Sequence, residues 1–351
     1  MSKRVVVCMS GGVDSTVAAY LLQEQGYEVE GITFSFWSFS GAPHYLEKAG
    51  RCLVNITSLT ARELEIPHHT IDASAQFYDL VLRDFVERSR LGETPNPCGR
   101  CNRYLRFDLA LHYAAKHGFD RVATGHHVQI VKGEDERLHL CQGRDSQKDQ
   151  SYFLYGLKAR DLDRLVFPVG GMTKEEVFAI ADAQGLRAAS LPESQDLCFV
   201  QAGRADFLFS LKDLTPGPII DRQGHILGEH KGLPFYTVGQ RRGLGVTAKR
   251  ALYVIAIDKT RNALIVGQEE DLYASSLVAR ERHFLSGEAM RAGSRVSAKI
   301  RYRSPAYACT FCPLDNERFS IDFDEPQRAI TPGQIVAIYD GARLLGGGII
   351  E

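Results

Sequence analysis

The sequence predicts an α/β protein: an N-terminal doubly wound parallel sheet of Rossmann-like type, a small central domain, and a C-terminal domain resembling a β-barrel. Three observations carry this. Short apolar runs alternate with helix-period segments through the first two hundred residues; Gly and Pro displace helical periods over 215–250; period-two alternation dominates the rest. A chain of 351 residues exceeds one ordinary domain, and the changes of character place boundaries at 1–203, 204–275 and 276–351.

Residues 4–9, apolar without a break from Val5 to Met9, lead into Ser10-Gly11-Gly12, as a strand buried on both faces would. Val13, Val17 and Leu21 recur at helical spacing until Gly26, and 29–34 is the next strand. Helical patterns over about 51–65, 75–91 and 101–117 alternate with strands near 68–72 and 120–124, and helices near 149–156 and 174–184 complete the unit. Beyond it, residues 253–258 and 263–267 flank a hairpin turn. Val296, Ala298, Ile300 and Tyr302 alternate with Ser297, Lys299, Arg301 and Arg303, Phe319, Ile321 and Phe323 alternate likewise, and Asp340-Gly341 marks a last hairpin.

Forty-two basic and 43 acidic residues give a net charge of −1, which excludes a generally cationic nucleic-acid coat but not local basic patches. The apolar run after Lys3-Arg4 is too short for a secretory signal, and no stretch approaches a membrane span. Eight cysteines in such a chain do not read as a disulfide framework. A cytosolic protein with no membrane partner is expected.

Cys8, Met9, Ser10, Gly11, Gly12, Val13, Asp14 and Ser15 join the first strand to the first helix. Two glycines let the backbone approach an anion, the helix N-terminus adds unpaired N–H groups, and two serines can donate to phosphate oxygens. Asp14 beside an anion suggests that a divalent cation intervenes, hence Mg²⁺ with ATP. The Gly-Lys-Ser/Thr of a γ-phosphate-transferring loop is missing. The loop resembles that of the PP-loop ATP pyrophosphatases, whose SGGxDS sequence grips the pyrophosphate while AMP passes to substrate.

Thr94-Pro95-Asn96-Pro97-Cys98-Gly99-Arg100-Cys101-Asn102 leads into a helix, and Cys198 follows Glu193-Ser194-Gln195-Asp196-Leu197. Cys101 is expected near the helix N-terminus, acidified by the dipole and by Arg100 and Arg103. With the loop, these stretches resemble the tRNA-specific 2-thiouridylase family, as do Ala123-Thr124-Gly125-His126-His127, Lys148-Asp149-Gln150-Ser151-Tyr152-Phe153-Leu154, Gly239-Gln240-Arg241-Arg242-Gly243-Leu244-Gly245, Arg301-Tyr302-Arg303 and Thr331-Pro332-Gly333-Gln334. The resemblance runs nearly the full length. It implies Cys101 as nucleophile, Cys198 as the persulfide-bearing cysteine, and Phe34 and Gly125 beside the nucleotide. It places Asn96, Pro97 and Cys98 at the target base, with His126, Lys148, Asp149, Gln150, Arg301, Tyr302 and Gln334 on tRNA. Adenylation of the wobble uridine at its C2 carbonyl and thiolation there would follow, with sulfur from a donor or relay protein or from sulfide.

One departure matters: the family commonly carries Asp where this chain has Cys98. Two chemistries therefore stand. Cys98, Cys101 and Cys198 could ligate a [4Fe–4S] cluster with one iron open for sulfide, or Cys198 could carry sulfane sulfur that Cys101 resolves as a disulfide. The segment near Cys198 is a candidate lid. Cys309 and Cys312, three apart on a strand, would face opposite sides and not chelate jointly; Cys8, Cys52 and Cys141 read as packing. Arg100, Arg103 and Arg106 on the helix, and Lys299, Arg301 and Arg303 on a strand, are candidate phosphate contacts. Another PP-loop ligase, or an RNA-binding protein that no longer uses its loop, are the competing readings.

Overall fold

The computed structural model describes residues 3–37, 44–191, 197–199, 208–209, 214–287 and 290–351, with backbone alone for 44–51. Most of the segment that the sequence marks as a candidate lid, 192–196 and 200–207, lies outside the described residues. Among the described residues no helix is long and apolar enough to cross a membrane.

The N-terminal sheet has strand order His68–Asp72, Glu28–Ser35, Arg4–Cys8, Arg121–Thr124, Leu165–Val166, all parallel. Val5, Val6 and Val7 are fully buried, as residues covered on both faces must be. Val5 and Val7 pack with Val13, Val17 and Leu22 of helix Val13–Glu24; Val6 packs on the other face with Leu105, Ala110 and Leu111 of the helical run 97–117. The chain continues from Arg4–Cys8 to one side and later returns on the other. The C-terminal end of that strand is thus the topological switch point where ligands of such sheets bind.

Two of the expected helices contain a π segment, Tyr78–Leu82 and Asn102–Arg106. The helix expected near 149–156 is a single 3-10 turn, Ser151–Leu154. A hairpin of Val128–Lys132 and Leu138–Gln142 was not anticipated; it leaves the N-terminal domain and touches the barrel where Cys141 pairs with Arg343.

The central domain is a four-stranded sheet ordered Tyr253–Asp258, Ala263–Gly267, Gly217–Ile220, Ile226–His230, with the expected hairpin in place. The C-terminal strands run Tyr273–Phe284, Phe319–Arg328, Tyr307–Pro313, Ser294–Lys299, Ile335–Asp340, Arg343–Ile350, and the last pairs back with the first to close a barrel. Phe319, Ile321 and Cys309 fill its interior, and Cys312 is only partly buried. The strand expected to run through Arg303 ends at Lys299. Lys299 turns inward as a buried ion pair, Nζ 3.0 Å from Asp149 Oδ2, which fastens barrel to N-terminal domain.

Candidate active site

A cavity of about 1330 Å³ opens at the C-terminal end of strand Arg4–Cys8. Its floor is the loop 10–15. Ser15 Oγ accepts from Ser10 N (3.1 Å) and donates to Gly12 O (3.1 Å), so the loop is folded tightly on itself. Gly11 has φ +76°, which a side chain would resist. No side chain caps helix Val13–Glu24 at Gly12, leaving its first N–H groups to a ligand. Gly125 presses on the loop from the neighbouring strand: a Cβ there would stand 2.5 Å from Ser15 N and 2.6 Å from Asp14 C.

Asp14 is not left facing an anion. Its Oδ1 accepts from Lys174 Nζ at 2.6 Å and lies 3.1 Å from His127 Nε2. Burial acts to raise the carboxyl pKa, but these partners outweigh it and hold it below the usual range. Lys174 and His127 both line the cavity and are nearly inaccessible, and His127 Nδ1 is buried without a hydrogen-bond partner among the described residues. Lys174 is aimed by helix Lys174–Ala183, which starts in a Thr173/Glu176 capping box.

Cys98 and Cys198 line the same cavity, and Cys101 is buried close by. Asn96 Oδ1 caps the helical run by accepting from Gly99 N at 3.1 Å, and Pro97 takes the first helical position. Cys98 therefore sits in the first turn and Cys101 one turn later, not at the N-terminus. Arg100 and Arg103, expected to acidify Cys101 or grip phosphate, turn elsewhere: Arg100 to Leu80 O and Asp84, Arg103 to Tyr155 and Glu281. The cation at the sulfurs is Arg106, which hydrogen-bonds Cys101 and acts on Cys8, Cys98 and Cys198 as well. In a regular α-helix residues five apart point about 140° away from each other. The i→i+5 bonding of Asn102–Arg106 widens the turn and brings Arg106 round to Cys101.

Burial outweighs Arg106 at every thiol. It pushes Cys98 up to about 11 and Cys8 up to about 12, and raises Cys101 and Cys198 too. The expected acidification of Cys101 is thus reversed. Cys198 is exposed to the cavity solvent yet enclosed by its walls. Its neighbour Phe199 is fully buried against Trp37, Phe77 and Phe85, which anchors residues 197–199.

The other expected site residues divide. Phe34, Asn96, Lys148, Asp149, Gln150 and Tyr302 line the cavity with loop residues Cys8, Met9, Ser10, Gly12, Val13 and Asp14. Asp149 is committed internally, to Lys299 and to Gly143 and Ser151 N–H groups. Gln150 Oε1 accepts from His127 N. Four lie off the cavity. Pro97 is buried at the first helical position. His126 is wedged near Phe107 and Phe167 with Thr124 Oγ1 2.7 Å from its Nδ1, Arg301 donates to Ala329 O, and Gln334 Nε2 donates to Thr94 O at 2.7 Å. Among the described residues no group of three or more His, Cys, Asp and Glu is arranged to hold a metal ion. Lys174, His127 and Trp37 were missed from the sequence; only the capping pattern at Thr173 hinted at the first.

Three family models match in order: a tRNA methyl transferase HUP domain over 3–202, a tRNA methyl transferase PRC-barrel domain over 205–268 and an aminomethyltransferase beta-barrel domain over 274–350. Full-length relatives are named tRNA-specific 2-thiouridylase MnmA. That of Symbiobacterium thermophilum is 42% identical over 100% of this chain and 93% of its own; that of Moorella thermoacetica is 43% identical over 99% of each. A 4-thiouridine synthetase solved with RNA and ATP covers 54% of this chain and 43% of its own, at 17% identity and TM-score 0.33, and has no bearing on the site. On full-length identity, the chain belongs to the tRNA-specific 2-thiouridylase family.

Proposed function

We infer that this protein is a tRNA-uridine 2-sulfurtransferase that activates the C2 carbonyl of the wobble uridine with ATP and replaces its oxygen with sulfur. The observation that carries this is one cavity lined both by an uncapped phosphate loop and by Cys98 and Cys198, with Cys101 hydrogen-bonded to Arg106 beside them. The relatives' names supply tRNA as substrate. A single-stranded anticodon uridine can be splayed into such a cavity at modest cost.

ATP lies with its phosphates on residues 10–15. Mg²⁺, held by Asp14, would supply charge neutralisation at the phosphates. Lys174, at the same carboxylate, is placed to take a phosphate oxygen, and Gly125 leaves the loop room to close. Uridine O2 attacks the α-phosphorus, forming the O–P bond as the bond to pyrophosphate breaks; N3 loses its proton. Loop N–H groups stabilise the departing charge. The terminal sulfur of a Cys198 persulfide then adds at C2 and AMP leaves. Cys101 attacks the Cys198 sulfur, so the S–S electron pair departs with 2-thiouridine and a Cys101–Cys198 disulfide remains. Two electrons and two protons from an external reductant restore the thiols, and a persulfide-bearing donor or relay protein reloads Cys198 by handing over its outer sulfur; sulfide reloads it instead by attacking the disulfide at Cys198, which leaves a Cys198 persulfide and a Cys101 thiol.

Arg106 supports this route: a fixed cation beside the sulfurs stabilises whichever becomes thiolate. The cluster reading needs Cys98, Cys101 and Cys198 disposed around one iron site, and the described residues offer no such set, so no step here uses it. Asn96 and Cys98 border the place for the base. Lys148 and Tyr302, also on the cavity, are proposed tRNA contacts; His126, Arg301 and Gln334 act by holding the walls. A reducing cytosol suits eight unpaired thiols. The test is pyrophosphate release with and without tRNA, alongside nucleoside analysis of the product. Release that requires tRNA, matched by 2-thiouridine, is expected; tRNA-independent release would sink the reading in favour of another ligase.

A further inference from the structure

Glu281 carries a charge and a strain that the chemistry above does not require. It lies in barrel strand Tyr273–Phe284, where pairing with Arg343–Ile350 shifts register between Arg280 and His283. Its φ of +54° is a left-handed conformation that residues with a Cβ avoid. Such strain persists where surrounding structure imposes it, and it clusters at sites with a task.

What the bulge achieves is the aim of one carboxylate at the helix that bears Cys101. Glu281 Oε1 accepts from Arg88 Nη2 at 3.0 Å, and Oε2 accepts from Tyr104 OH at 3.3 Å. Its backbone oxygen accepts from Arg103 Nη1 at 3.0 Å, while nitrogens of Arg100 and Arg103 stand 4.0 Å from Oε2. Both of those guanidinium groups also lie against the Tyr104 ring, at 5.0 and 4.8 Å. Residues 100–104 are thus tied from three positions to a single residue of another domain. Cys101 is in that stretch. Directly after it the helix changes to π bonding, so the helical hydrogen bonds alone do not fix its rotational phase.

We propose that Glu281 is a positioning residue for sulfur transfer: through it the barrel fixes the turn 100–104 and thereby the direction of the Cys101 thiol. The inference rests on the sulfurtransferase reading. Adenylation draws on the loop 10–15 and on Asn96 and Cys98 beside the base, none of which lies in the turn 100–104. Loss of Glu281 should therefore leave activation running while the sulfur step lags and water takes the adenylate.

The experiment measures 2-thiouridine formed per pyrophosphate released, with the full chain and tRNA, in wild type, Glu281→Gln and Glu281→Gly. The first substitution keeps shape and removes charge; the second suits the left-handed backbone and removes the side chain. Both are expected to release pyrophosphate within about threefold of wild type while the ratio falls by about tenfold or more, toward the roughly hundredfold that a 1 Å misplacement costs. A merely structural role would lower both rates together and leave the ratio unchanged. An unchanged ratio in Glu281→Gln overturns the proposal, whatever Glu281→Gly does. Wild-type protein that releases pyrophosphate but makes no 2-thiouridine removes the sulfurtransferase reading itself.

Discussion

Substituting Gly125→Ala tests the nucleotide half of the site with one methyl group. The added Cβ would stand 2.5 Å from Ser15 N, 2.6 Å from Asp14 C and 2.9 Å from Asp14 O, all backbone atoms that no rotamer change can move. That is about 1 Å short of ordinary contact. Overpacking of this kind costs about 1–3 kcal/mol, which in a domain of this size lowers the melting temperature by roughly 2–10 °C. The protein stays folded, but the loop must shift by most of an ångström, and a displacement of that size at a reacting centre costs on the order of a hundredfold. Calorimetric titration with Mg²⁺ and ATP, followed by tRNA-dependent pyrophosphate release, measures it. Gly171→Ala is the control, since its Cβ would meet nothing nearer than Gln129 Oε1 at 4.0 Å. Nucleotide binding and pyrophosphate release within threefold of wild type in Gly125→Ala would refute the claim that this glycine seats the loop.

Three further outcomes are expected. Cys101→Ser should abolish 2-thiouridine while nucleotide binding and the melting temperature stay near wild type, checked by nucleoside analysis and calorimetry. Asp149→Ala should cost about 3–5 kcal/mol in urea unfolding because Lys299 is left buried without its partner. Adding Lys299→Met should restore only part, since Gly143 and Ser151 N–H groups still lose their acceptor. His126 is held neutral by burial, its pKa down from 6.5 to about 3. As pH falls, the unfolded chain therefore takes the proton first: the stabilisation is whole above pH 6.5 and is lost at up to about 1.4 kcal/mol per unit toward pH 3. His126→Gln should flatten that part of the stability–pH curve.

The parallel sheet was legible because Val5, Val6 and Val7 are buried on both faces, which leaves an unbroken apolar run. The phosphate loop was legible because its glycines and serines are local in sequence. The barrel was legible from alternation at Phe319, Ile321 and Phe323, all of which face its interior. Arg106 was read as a phosphate contact because α-helical periodicity places it off the Cys101 face; a π turn leaves no mark in composition. Lys299 looked exposed by alternation, and its partner Asp149 lies 150 residues away. Lys174 is a lysine at a helix start until the fold brings Asp14 to it. The expected acidity of Cys101 failed for a related reason, since a local dipole and two nearby arginines were visible while the burial that outweighs them was not.

The central claim is that sulfur passes from Cys198 with Cys101 closing the reaction as its disulfide partner. It is tested most directly by one turnover of persulfide-loaded protein with ATP and tRNA, quenched in acid and peptide-mapped by mass spectrometry without reductant. The account predicts a Cys101–Cys198 disulfide in equal amount to the 2-thiouridine formed. Thiolated tRNA with both cysteines recovered as free thiols would contradict it.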